Sequence, residues 1–210
     1  MPGQSKLLSF VLICIVAAAG AAAAIYWRHP PPVELATGTM LSPSRQLPDF
    51  SLIDTQGRAF GTANLRGHWS LMFFGYTNCP DFCPATLSTL AALNKRLRSE
   101  PAAVIPQVVF VSVDAKRDTP QQLAKYVPYF DPAFIGLTAN EQSTVEAVAR
   151  NMGVAVIIQP AKDPQGNYTV DHSAQIFVFD PSGKLSAVLS GPFTVDALHG
   201  DLQRIVSGRA

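Results

Sequence analysis

An excess of charge of either sign is missing from this sequence. Its 210 residues carry 16 Lys and Arg against 15 Asp and Glu, and from Pro43 onward there are 14 of each. Binding a phosphate backbone requires concentrated basic side chains, so this balance argues against nucleic acid as a main partner. Cysteine is scarce as well. Cys14, Cys79 and Cys83 are the whole supply, and Cys14 sits in an apolar run, where it reads as a small hydrophobe. The two remaining cysteines cannot build a multi-bridge scaffold, although one structural disulfide stays open. They also fall short of a closed zinc tetrahedron, which needs four protein ligands. Histidine is limited to His29, His68, His172 and His199, and no internal repeat is visible.

A long apolar run occurs once, from Leu7 to Trp27, as 21 residues without a formal charge. As a helix it would be roughly 31 Å long, enough to cross a bilayer core. Tyr26 and Trp27 would then lie where interfacial aromatics are expected. The pattern predicts a cytoplasmic N-terminus at residues 1–6, a transmembrane anchor at 7–27 and a proline-rich tether at 28–47. Residues 48–210 form one domain in this reading. The alanine-rich end of the run also fits a cleaved signal peptide. Either way the domain lies on the non-cytoplasmic side; with the anchor retained, the protein is a single-pass protein of the inner (cytoplasmic) membrane, facing the periplasm.

Within the domain, strand and helix patterns alternate. Residues 49–54 and 58–60 read as a short hairpin around Thr55-Gln56-Gly57. Trp69 to Phe74 is almost continuously apolar, the mark of a strand covered on both faces. Pro80 suits a first helical turn, and Leu87, Leu90, Leu93 and Leu97 continue at helical spacing. A second buried strand spans Ile105 to Val113, and Thr119-Pro120 caps another helix. A shorter strand at 134–138, a helix at 141–150 and a strand at 154–158 follow. A turn-rich tip, a hairpin around Asp180-Pro181-Ser182-Gly183 and a last helix from Val195 to Ile205 complete the domain. This order implies an α/β fold with a mixed central sheet and helices on both faces.

Cys79 and Cys83 stand directly after the first buried strand, and His172 follows 89 positions beyond Cys83. Cysteines four apart near a helix start can share a metal ion or bridge on oxidation. Unpaired N–H groups and the helix dipole at that point favour the thiolate of the first. Two sulfurs and an imidazole suit Cu(I), whereas the cysteine pair alone suits disulfide exchange. Both uses remain open on the residues themselves, as does a non-catalytic adaptor with a structural disulfide. A peroxidase is disfavoured, because Tyr76 stands three residues before Cys79 where threonine or serine is wanted. His68 and His199 read as ordinary surface or partly buried residues, and His29 as an incidental tether residue. Asp114 and Asp118 read as loop-stabilising carboxylates, Asp81 as a docking or solvent-facing residue, and Asp171 as one that orients the loop.

Three segments carry a specific resemblance. Phe74-Gly-Tyr-Thr-Asn-Cys-Pro-Asp-Phe-Cys-Pro84, Val111-Ser-Val-Asp-Ala-Lys-Arg-Asp-Thr-Pro120 and Val170-Asp-His-Ser-Ala174 resemble the motifs of the Sco/SenC family. These are membrane-tethered, thioredoxin-fold copper proteins of cytochrome c oxidase assembly, and the resemblance covers roughly Leu47 to Val206. It departs at Asn78, where the family usually has histidine. The resemblance implies a thioredoxin-like three-layer fold with a mixed central sheet and an added hairpin or loop carrying His172. It implies one copper ion per chain, as Cu(I) with Cu(II) as a second state, held by Cys79, Cys83 and His172. It also implies a place for Asp114 behind those ligands. The acceptor it points to is the dinuclear copper centre of cytochrome c oxidase subunit 2, or the cysteines that will form it. A copper donor chaperone and a thiol–disulfide reductant would be the upstream partners. If Cys79 and Cys83 are redox-active, they are also the catalytic pair, with Cys79 attacking and Cys83 resolving.

Overall fold

Apolar runs and helical repeats alternate along the chain, and the architecture follows them. The computed structural model describes residues 12–21, 34–160 and 168–208. Residues 12–21 form a helix, α1, and belong to a unit separate from the one that begins at Glu34. The rest of the expected anchor and tether up to residue 33 lies outside the described residues. Among the described residues no helix is long and apolar enough to cross a membrane.

The second unit opens with β1 (Gly38–Arg45), β2 (Ser51–Asp54) and β3 (Ala59–Gly61). Then come β4 (Ser70–Gly75), α2 (Phe82–Arg98), β5 (Gln107–Ser112), α3 (Pro120–Phe130), β6 (Ile135–Thr138) and α4 (Gln142–Asn151). The short strands β7 (Val156–Ile158) and β8 (Val170–His172) precede β9 (Gln175–Phe179), β10 (Leu185–Ser190) and α5 (Val195–Ser207).

Eight strands form one mixed sheet in the order β1-β10-β9-β4-β5-β6-β2-β3. The strands β4, β5 and β6 run parallel, and β9 closes against β4 antiparallel. Every residue of β4 is buried, which explains its unbroken apolar sequence: both neighbours and both faces are covered. Phe73 pairs across to Phe110 and to Ile176, and Phe73, Phe74, Phe110, Phe177 and Phe179 are fully buried. Each such side chain contributes about 1.5–3 kcal/mol of hydrophobic stabilisation. Leu87, Leu90, Leu93 and Leu97 turn one face of α2 onto this core. The Thr119 side chain caps α3 by accepting the Gln122 N–H at 3.2 Å, with Pro120 at the first helical position as predicted.

Two expectations need correction. The tether was expected to run to residue 47, yet the fold begins at Glu34, and residues 38–45 are the edge strand β1, paired with β10. The segment is held without a conspicuous apolar pattern. Asp201, fully buried on α5, accepts the backbone N–H groups of Ala36 and Thr37 at 2.7 and 2.8 Å and the Thr37 hydroxyl at 2.6 Å. Pro80 was expected inside the first turn of α2, but the helix starts two residues later, leaving Pro84 in that turn.

The strands β7 and β8 make a separate two-stranded sheet, with Val156 opposite His172. It is the added hairpin that the resemblance implies, and its tip at residues 161–167 lies outside the described residues.

Candidate metal centre

The cysteine side of the site is built at the end of β4. Leaving the sheet, the chain makes a tight turn in which the Cys79 N–H donates to the Tyr76 carbonyl at 3.2 Å. Asp118 fixes that turn from the loop after β5. Its fully buried carboxylate accepts the Thr77 N–H at 2.8 Å, the Thr77 hydroxyl at 2.6 Å and the Ser112 hydroxyl at 2.6 Å. Burial pushes the Asp118 carboxyl up, and the hydrogen bonds from Ser112 and Thr77 offset only part of that.

Asp81 occupies the N-cap position of α2 without a side-chain cap bond. An N–H of the first turn instead finds sulfur, as the Cys83 amide points at Cys79 Sγ from 3.4 Å. Cys79 therefore meets Cys83 through a turn and a helix start, not along one helix face. Cys83 is completely buried, packed so close to Gly75 that a Cβ there would stand 3.0 Å from its sulfur and 2.7 Å from the Phe110 ring. A larger residue here would push the Phe110 ring and the sulfur aside. Burial pushes the Cys83 thiol well above the ordinary range, the reverse of the acidification expected from a helix N-terminus for its neighbour Cys79. Cys79 is half-exposed, and both stand as free thiols.

His172 enters from the end of β8. Its Nε2 lies 3.5 Å from Cys83 Sγ, and its Nδ1 lies 3.2 Å from the Ser173 carbonyl. A carbonyl only accepts, so Nδ1 carries the proton and Nε2 presents its lone pair to the sulfurs. The rings of Phe73 and Tyr76 stand edge-on to the imidazole at 6.3 and 6.0 Å. Burial lowers the His172 pKa, opposed by the Ser173 carbonyl and Asp171, which favours neutral imidazole. The three donor atoms, Cys79 Sγ, Cys83 Sγ and His172 Nε2, all lie within 4.8 Å of one another. Two soft sulfurs and one imidazole nitrogen beside the Phe73 and Tyr76 rings fit Cu(I), and among the described residues no fourth donor of a structural zinc site joins them.

Asp114, in the loop after β5, is fully buried. Its carboxylate bonds to Arg117 Nε and accepts the Tyr168 hydroxyl at 2.7 Å, so its side-chain bonds go to these groups and not to a sulfur or the imidazole. Burial and this donation push the Tyr168 hydroxyl up to about 12. Sequence reasoning did not single out Arg117, Tyr168 or Thr77. The one available signal was four charged residues, Asp114, Lys116, Arg117 and Asp118, within five positions after a buried strand. The other candidates lie elsewhere. His199 is buried against Glu100 at 2.9 Å, His68 and Asp81 are exposed, and Asp171 accepts Gln159 Nε2 at 2.6 Å on the hairpin. His29 is outside the described residues.

The SCO1/SenC family profile matches residues 39–207. The chain belongs to the SCO1/SenC family. A Stutzerimonas stutzeri relative named as a copper-binding protein is 35% identical over 167 residues, covering 80% of each chain. The mitochondrial SCO2 homolog of Mus musculus is 41% identical over 135 residues, covering 64% of this chain and 52% of the mouse protein. This Sco chain therefore spans about half the length of that mitochondrial relative. Among solved structures, Arabidopsis thaliana ScoI with copper bound is similar at a TM-score of 0.72 and 33% identity, covering 77% of this chain and 98% of that one. The thioredoxin-like Sco fold is thus shared, with its mixed sheet and added hairpin.

Proposed function

We propose that this Sco protein is a copper metallochaperone whose cargo is held by Cys79, Cys83 and His172. The observation that carries the reading is the convergence of two thiols and one imidazole nitrogen within 4.8 Å. Copper is loaded as Cu(I), which thiolates favour, and His172 also suits Cu(II). Loading requires the Cys83 proton to leave, so metal uptake releases protons. Cys79 and His172 are the half-exposed ligands and so the ones an acceptor reaches first, whereas Cys83 is closed off behind them. Transfer by exchange of one ligand at a time never frees the ion.

The acceptor in this reading is the dinuclear copper centre of cytochrome c oxidase subunit 2, as the family resemblance implies. A donor chaperone supplies the copper, and a thiol–disulfide reductant keeps the pair reduced. The run from Leu7 to Trp27 anchors the protein in the inner membrane, with the domain on the periplasmic side.

A second reading is favoured by the unequal exposure of the two cysteines. The half-exposed Cys79 can attack an acceptor disulfide and the buried Cys83 can then resolve the mixed disulfide. That exchange leaves a Cys79–Cys83 disulfide and two acceptor thiols, and it makes no use of His172. Anaerobic competition for Cu(I) against a chelator separates the two. The chaperone reading expects one tightly bound ion per chain, weakened by H172A and lost in C79A/C83A. Weak binding indifferent to His172 would move the assignment to disulfide exchange.

A further inference from the structure

The hairpin that delivers His172 shares no strand pairing with the eight-stranded sheet among the described residues. An isolated two-stranded hairpin is marginal in water, so side chains must dock it. Val170 is buried, but Ile157, Ile158 and Asp171 face solvent. What joins the hairpin to the loop after β5 is a closed ring of three residues. Arg117 Nε bonds to Asp114, Arg117 Nη1 donates to the Tyr168 carbonyl at 2.9 Å, and the Tyr168 hydroxyl donates back to Asp114 at 2.7 Å. The guanidinium also lies over the Tyr168 ring, its carbon 3.7 Å from the centroid. Among the described residues its buried Nη2 has no hydrogen-bond acceptor, which costs stability unless the contacts on the other faces offset it. On a second side the same guanidinium lies 5.7 Å from the Tyr76 ring, which itself stands edge-on to His172.

We propose that Arg117 is the positioning residue for His172, holding the ligand hairpin through Tyr168 and the imidazole through Tyr76. The inference rests on the copper reading for its functional consequence, although the mechanical part stands without it. One turn thereby serves both halves of the site. Asp118 holds the cysteine loop and Arg117, its chain neighbour, holds the histidine. Lysine cannot replace it fully, because it has neither the planar face for Tyr168 nor the fork for Asp114 and the carbonyl.

The test uses the full chain as wild type, R117Q, R117K, Y168L, H172A and the double variants R117Q/H172A and Y168L/H172A. Cu(I) affinity is read by anaerobic chelator competition. Amide exchange in the copper-free protein is read at Ser173 and Gln159, which bond across the hairpin to Ala155 and Thr169, and at Val113, which bonds to Gly75 on the cysteine side. R117Q and Y168L should each weaken Cu(I) binding by about tenfold or more, the range seen for lost outer partners of a ligand. In the H172A background each should add less than about twofold, as expected for residues acting through one another. Exchange should quicken at Ser173 and Gln159 and stay unchanged at Val113, and R117K should fall between wild type and R117Q.

Y168L is distant in sequence from Asp118, so it decides the matter if R117Q fails to fold. Wild-type affinity in Y168L, or an equal further loss in the H172A background, would overturn the proposal. If instead wild type binds no copper or H172A changes nothing, the copper reading fails. The exchange data then still decide whether Arg117 holds the hairpin.

Discussion

The two sides of the site are held in very different ways. The cysteines follow directly on the central strand β4, where fully buried Cys83 packs against Gly75, a position that any added Cβ would crowd. The histidine comes from a two-stranded hairpin whose outer residues are wet and whose hold on the domain passes through a few side chains. Cys83 is therefore held by the core itself, while the place of His172 depends on the few side chains that dock its hairpin. In the proposed copper-chaperone role, this division would let the ion be held on one side and given up from the other.

The largest effect should come from breaking the rigid side. Replacing Cys79 and Cys83 together by serine should abolish stoichiometric Cu(I) binding, whereas H172A should retain a weaker complex; chelator competition measures both. Next is Gly75→Ala, whose Cβ would meet the Phe110 ring at 2.7 Å and Cys83 Sγ at 3.0 Å. Overpacking of this kind costs about 1–3 kcal/mol. Thermal unfolding should register it, and alkylation should find Cys83 more reactive than in wild type.

Asp118→Ala should cost about 1–3 kcal/mol, because it leaves the Thr77 N–H with no acceptor. Asp118→Asn should cost less, since hydroxyl partners can turn to accept from an amide. The pH dependence has a definite sign. Burial raises the folded Asp118 value, so its contribution is complete below the unfolded Asp value of about 4 and is lost as pH rises through the raised folded value. The gap between wild type and D118N should therefore narrow from acid pH toward neutrality, as denaturant titrations at several pH values would record. The smallest effect should come from the wet face of the hairpin. Gln159→Ala removes an exposed bond to Asp171 and should change stability by no more than about 0.5 kcal/mol.

This contrast also explains what could be read from the sequence. Strand β4, the leucine face of α2 and the Thr119-Pro120 cap are legible because local pattern and burial agree there. The three candidate ligands could be singled out because thiolate and imidazole chemistry is rare in this chain and its motifs resemble those of a known family; the structure brings their donor atoms within 4.8 Å of one another. The strand β1 was missed because its Ser-Pro-Ser core is neither apolar nor alternating; it is held by β10 and by Asp201, 164 residues from Thr37. Arg117 escaped notice for a similar reason. Its meaning lies in Tyr168, 51 residues away, and no local periodicity signals that contact.

The most direct test of the account is X-ray absorption at the copper edge of the Cu(I)-loaded full chain, beside H172A. The account predicts two sulfur scatterers and one nitrogen scatterer in wild type, with the nitrogen lost in H172A and both sulfurs kept. A nitrogen that persists in H172A, or a third sulfur in wild type, would contradict a site made by Cys79, Cys83 and His172 of one chain.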